Sequence, residues 1–139
     1  MRVFMALVVL LVAACASPGP VIRIHDAWSR PVAESTPGVA YFSIVNKGDE
    51  ADRLIGVRSP CCTAVEIHET RIKDDVMRMV PVVDGVVVEP GSTVALEPGG
   101  YHVMLLGLDE PLRAGASFQI TLDFERSGSI PVEVEIRRQ

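Results

Sequence analysis

No run of lysine or arginine longer than a pair occurs in this chain, and acidic residues outnumber basic ones, 18 to 13. A formal net charge of −5 without a basic patch excludes the electrostatic footprint of a nucleic-acid binder. Motifs for catalysis are missing as well. There is no Gly-x-Ser-x-Gly, no His-Glu-x-x-His and no convincing nucleophile–base pair, so the chain is not expected to be an enzyme. Cysteine is scarce, at Cys15, Cys61 and Cys62 alone, and two adjacent cysteines do not make the separated pairs of a disulfide framework. Beyond the N-terminus no segment carries a helical period.

What is present begins with an address. Met1-Arg2 is a minimal positive start, and Val3 to Ala13 is almost wholly apolar but short for a membrane-spanning helix. Val12-Ala13-Ala14-Cys15 resembles a bacterial lipoprotein processing box. Residues 1–14 are therefore expected to be a signal peptide, with Cys15 lipidated and 15–20 a Ser/Pro/Gly tether; the alternative is an ordinary signal peptide cut near Ala16. Either way the protein works outside the cytoplasm, in the periplasm or on the outer face of the cytoplasmic membrane.

Residues 21–139 read as one domain, large enough to bury its own core. Extended, β-favouring segments recur every eight to twelve residues, with Gly and Pro between them. They run Val21–Trp28, Val39–Val45, Arg53–Val57, Ala64–His68, Val76–Val80, Val86–Val88, Thr93–Leu96, Tyr101–Leu106, Ser117–Phe124 and Ile130–Ile136. His68 is expected at the end of its strand, with an acidic connection at Lys73-Asp74-Asp75 after it. Asp84-Gly85 reads as a hairpin signal. About nine or ten short strands imply an all-β sandwich or barrel.

The chemistry gathers between Ile67 and Leu106. Ten residues separate His68 from Met79, twenty-two separate Met79 from His102, and one separates His102 from Met104. In a strand, residues i and i+2 share a face, so His102 and Met104 point the same way, as do Met77 and Met79. Two imidazoles and two thioethers suit copper(I), a soft monovalent ion. Thioethers are neutral, stay unprotonated, and do not pass into disulfides in an oxidising compartment. Each residue also has a plainer explanation: a methionine in a β-domain usually fills core, and a lone histidine usually sits at the surface. Met77 competes with Met79 on geometry alone. His25 has no partner in the pattern and is read as a surface residue.

The sequence closely resembles the periplasmic copper chaperone family PCu(A)C (DUF461) over nearly all of the domain. The resemblance lies in Asp26-Ala27-Trp28-Ser29-Arg30-Pro31, Val65-Glu66-Ile67-His68-Glu69-Thr70, Val76-Met77-Arg78-Met79 and Pro98-Gly99-Gly100-Tyr101-His102-Val103-Met104-Leu105. The family's metal motif, a His, a Met about ten residues on and a distant His-x-Met, falls on His68, Met79, His102 and Met104. The resemblance implies a cupredoxin-like Greek-key β-sandwich holding one copper(I) near its surface. It also implies a monomer that delivers copper by ligand exchange towards the CuA centre of cytochrome c oxidase, or to another extracytoplasmic copper protein.

Copper storage or resistance is the alternative use of such a site. A blue-copper electron carrier would share the fold, but it needs a Cys between its ligand histidines, and none lies between His68 and His102. Cys61-Cys62 departs from the family pattern, in which small residues are commoner. Three readings stand for the pair: structural thiols or a vicinal disulfide, accessory copper ligands or a redox gate, or incidental residues.

Overall fold

A computed structural model describes residues 18–139, so the signal segment 1–14 and Cys15 lie outside the described residues. Ten strands and no helix make up the described part: β1 (Ile22–Ser29), β2 (Gly38–Asn46), β3 (Asp52–Arg58), β4 (Cys62–Lys73), β5 (Val76–Pro81), β6 (Val86–Val88), β7 (Thr93–Leu96), β8 (Tyr101–Leu108), β9 (Ser117–Phe124) and β10 (Gly128–Ile136). All ten expected strands are present, most within two residues of their expected ends.

The strands form one sheet in the order β5-β4-β8-β7-β2-β1-β10-β9-β3-β6. It folds over a single core, because the strands of both halves bury alternate residues in one cluster. Ala40, Phe42 and Ile44 of β2, Val103 and Leu105 of β8 and Ile67 of β4 meet Leu54 of β3, Ile120, Leu122 and Phe124 of β9 and Val134 of β10. Along β9 the outward Gln119, Thr121 and Asp123 alternate with the buried residues, the period-2 pattern of a half-buried strand. The fold line runs through β1. Its register shifts between His25 and Trp28, where Asp26 takes a left-handed φ of 51°. Beyond that bulge Trp28 and Ser29 pair with β2 on one side and, in parallel, with β10 on the other.

Two expectations are corrected. His68 is not at the end of its strand, because β4 continues to Lys73 and turns tightly into β5 through Asp74 and Asp75. Both turn residues have positive φ, 52° and 60°, as a two-residue turn matching strand twist requires. Nor does Asp84-Gly85 close a hairpin. β5 pairs with β4 while β6 pairs with β3, so this segment crosses between the sheet halves. Gly85 serves close approach instead: a Cβ there would lie 2.5 Å from the Leu54 carbonyl oxygen.

Asp52 is a buried carboxylate tied to the β9–β10 turn. Oδ1 accepts the amides of Arg53 (2.8 Å) and Arg126 (2.9 Å), and Oδ2 accepts the Ser127 amide (3.0 Å) and hydroxyl. Burial would raise this carboxyl, but the Ser127 hydroxyl and the three amides outweigh it and hold Asp52 below the usual range.

Candidate metal centre

Strands β5, β4 and β8 are neighbours at one edge of the sheet. The inward positions of β4 and β8 are taken by Ile67, Val103 and Leu105, all buried in the core. Period 2 then turns the intervening residues to the opposite face. His68 stands directly across from His102, and Glu66 from Met104. On the other side of β4, Thr70 pairs with Met79 and Ile72 with Met77. Directly paired residues project from the same face, so His68, Met79, His102 and Met104 all stand on one face of three adjacent strands.

They stand there as a ladder. Taking β4 as the ruler, Met104 is level with Glu66, the two histidines with each other, Met79 with Thr70 and Met77 with Ile72. Each step of two residues advances about 7 Å. Met104 and Met79 therefore flank the histidine pair by one step on either side, whereas Met77 is two steps away. The ambiguity between the two methionines is one of distance, and Met79 is the nearer.

The histidines present bare nitrogens to each other's neighbourhood. His68 Nε2 is 2.7 Å from Glu66 Oε2, so that nitrogen carries the proton and donates it to the carboxylate. His102 Nδ1 is 3.1 Å from the Gly100 carbonyl oxygen and donates likewise. In the neutral rings this leaves lone pairs on His68 Nδ1 and His102 Nε2. Both of these nitrogens are buried and have no hydrogen-bond partner. Orphaned buried polar atoms are costly, and a pair of them on facing residues is a site waiting for a Lewis acid. The ring centroids are 5.8 Å apart at 60°. With metal–imidazole bonds of about 2 Å, one ion can reach both rings.

Two thioethers stand on the same face. Met104 is half-buried beside His102, while Met79 is 52% exposed. Among the described residues no three His, Cys, Asp or Glu side chains come together as a metal-holding group. The further side chains on this face that can donate to a metal beside the histidine pair are the thioethers of Met79 and Met104, donors that suit a soft ion. Glu66 is the residue that motif reasoning passed over. It shares its face with His68 at i−2, a signal visible in the strand pattern, and its hydrogen bond sets which imidazole nitrogen is free.

Other candidates are placed elsewhere. His25 lies on β1 opposite Ser43, away from these three strands. Cys62 opens β4 six residues before His68, about 20 Å along an extended strand, and Cys61 immediately precedes it. That spacing sets the pair apart from the histidines along β4. The two are unlinked thiols with sulfurs 3.5 Å apart. Ser59 Oγ lies 2.7 Å from the Gln119 carbonyl oxygen, which accepts from it, and 3.1 Å from Cys61 Sγ. Burial, together with Cys61 and Asp109, pushes the Cys62 thiol up to about 12. A cleft of about 380 Å³ opens beside Cys61, walled by Pro111, Leu112, Phe118 and Ile136.

Known proteins resemble this chain over most of its length. The LpqE-like family model ("Putative lipoprotein LpqE-like") matches residues 22–136. The chain is 32% identical over 116 residues to "Putative lipoprotein Lxx21020" of Leifsonia xyli subsp. xyli, covering 84% of this chain and 69% of that protein. Its fold superposes on the copper-bound PCuAC domain from PmoF2 with a TM-score of 0.69 and 29% identity, covering 85% of this chain and 93% of that one. The copper(I) form of DR1885 from Deinococcus radiodurans gives 0.63 at 29% identity, covering 91% and 84%. The chain thus belongs to the LpqE-like family and has the cupredoxin-like fold of the PCuAC domain.

Proposed function

We propose that this protein is a copper(I) carrier working outside the cytoplasm. One ion is held by His68 Nδ1, His102 Nε2 and the sulfurs of Met79 and Met104, and passes to its acceptor by ligand exchange. The observation that carries this reading is the pair of buried, partnerless imidazole nitrogens on directly opposed strands, flanked on the same face by two thioethers. The copper named for two structural relatives supports the choice of metal, and the copper(I) of one supports the valence. The four neutral donors keep the ion's single charge, which the adjoining Glu66 carboxylate offsets. Half-exposed Met79 leaves one side open to an incoming ligand.

The family name and the Val12-Ala13-Ala14-Cys15 box support anchoring through a lipid on Cys15. A protein so tethered, and expected to act as a monomer, would supply a membrane copper protein, for which the CuA subunit of cytochrome c oxidase is the proposed acceptor. Anaerobic titration with copper(I) tests the site: one equivalent should bind without colour, and a His102→Ala/Met104→Ala variant should lose it. Wild-type affinity in that variant refutes the ligand set. Transfer of the ion to an isolated oxidase copper domain tests the acceptor, and copper retained under those conditions points to storage.

A further inference from the structure

We propose that Met77 and Met79 form a second, outward copper(I) station, over which the ion leaves the histidine pair. The inference rests on the copper(I) reading above and extends it to a residue outside the four-ligand set. Met77 lies on the same face as the four donors, by its register opposite Ile72 of β4. It is one two-residue step beyond Met79, about 7 Å further toward the hairpin turn.

Packing does not explain it. Met77 is 63% exposed and its cross-strand partner Ile72 is 72% exposed, so neither fills the core. A methionine left in water gains little from burial, and its remaining distinctive property is a soft sulfur on three rotatable bonds. The soft donors thus continue past the histidines in one line, Met104, His68 with His102, Met79 and Met77. From the histidines outward burial falls, since His102 is 3% exposed and Met79 and Met77 are each more than half exposed. At two steps from the histidines, Met77 is too far to complete the inner site while Met104 is bound. It is well placed to share an ion with Met79, its i+2 neighbour.

The step is an exchange of coordinate bonds. A bond from Met77 Sδ to copper forms while Met79 Sδ remains attached, and the bonds to Met104 Sδ, His68 Nδ1 and His102 Nε2 then break. The donated electron pairs stay on their own atoms. Copper remains monovalent, and no proton or electron moves. An acceptor donor then meets an ion held by two exposed thioethers, not one enclosed by buried imidazoles.

Methyl-labelled methionine NMR on the full chain, titrated anaerobically with copper(I) alone, reads this directly. The first equivalent should shift the Met79 and Met104 methyls. Between one and two equivalents the Met77 methyl should move and Met79 should move again. In Met77→Leu that second step should vanish, and release of the first ion to excess bidentate copper(I) chelator should slow by about fivefold or more. A Met77 methyl that never moves, or one that moves fully with the first equivalent, overturns the outward station, as does an unchanged release rate. Should the first equivalent leave Met79 and Met104 unmoved, the four-ligand reading fails instead.

Discussion

His68 and His102 face each other across β4 and β8 as a directly opposed pair, and each uses one ring nitrogen to hold its orientation and leaves the other bare. Both bare nitrogens are buried and make no hydrogen bond to another protein group. Hydrogen bonds to Glu66 and to the Gly100 carbonyl thus fix the two rings while leaving one lone pair on each unused.

The nitrogen assignment is the first prediction. Silver(I) or copper(I) should shift the ¹⁵N resonances of His68 Nδ1 and His102 Nε2. His68 Nε2 and His102 Nδ1 should remain protonated, hydrogen-bonded to Glu66 and to the Gly100 carbonyl. Metal bound through the opposite nitrogen of either ring contradicts the site geometry.

Glu66 acts on the ion through His68. In Glu66→Leu, copper(I) affinity should fall by about 10- to 100-fold, the usual cost of removing the partner that orients a ligating histidine. Glu66→Gln keeps an acceptor for the His68 Nε2 proton and should recover most of the loss. Competition with a chromophoric copper(I) chelator measures both. Equal affinities in wild type and Glu66→Leu would show that the 2.7 Å contact is incidental.

Asp52 should govern acid stability. Its carboxyl is held below the ordinary 3.8, against its burial, by the Ser127 hydroxyl and the surrounding amides. A lowered folded pKa stabilises the native state fully above the unfolded value, and that stability is lost as pH falls through the lower folded one. Asp52→Asn removes one acceptor oxygen and turns an amide toward the Ser127 donors, at a cost of about 1–3 kcal/mol. Urea denaturation at pH 7 and pH 3 reads both effects. The gap between wild type and variant should narrow at the lower pH, and a gap constant with pH would remove Asp52 from the account.

Cys61 and Cys62 should leave copper binding at the histidines alone. Since Cys62 lies six residues, about 20 Å, along β4 from His68 and Cys61 one residue further, Cys61→Ser/Cys62→Ser should keep the copper(I) affinity of that site within about twofold. The Cys62 thiol, pushed up to about 12, should react slowly with iodoacetamide. Rapid labelling of Cys62 near neutral pH, followed by mass spectrometry, would show a thiol far more acidic than its surroundings require.

Much of the fold was legible in the chain because strands are written locally. Ile120, Leu122 and Phe124 alternate with polar neighbours, and Gly and Pro mark the breaks, so ten strands could be located without coordinates. The co-facing of His102 with Met104 followed from the same alternation. Local signals failed where partners were distant. Asp84-Gly85 has hairpin chemistry, yet its flanking strands pair with β4 and β3, because burying Val86 and Val88 against the second half of the sheet decides the matter. His68 looked terminal because Glu69 to Lys73 is mostly polar. The strand continues since β5 supplies the hydrogen-bonding partner that those residues need.

By itself, then, the sequence determined the donor types, their alternation along each strand and the all-β class, all of which depend on residues one or two apart. Tertiary structure decided that His68 meets His102, that Met79 stands one step from them and Met77 two, and that Cys62 lies at the other end of β4. Those outcomes rest on strand order and register, set by the two left-handed residues Asp74 and Asp75 and by which apolar faces the core can bury.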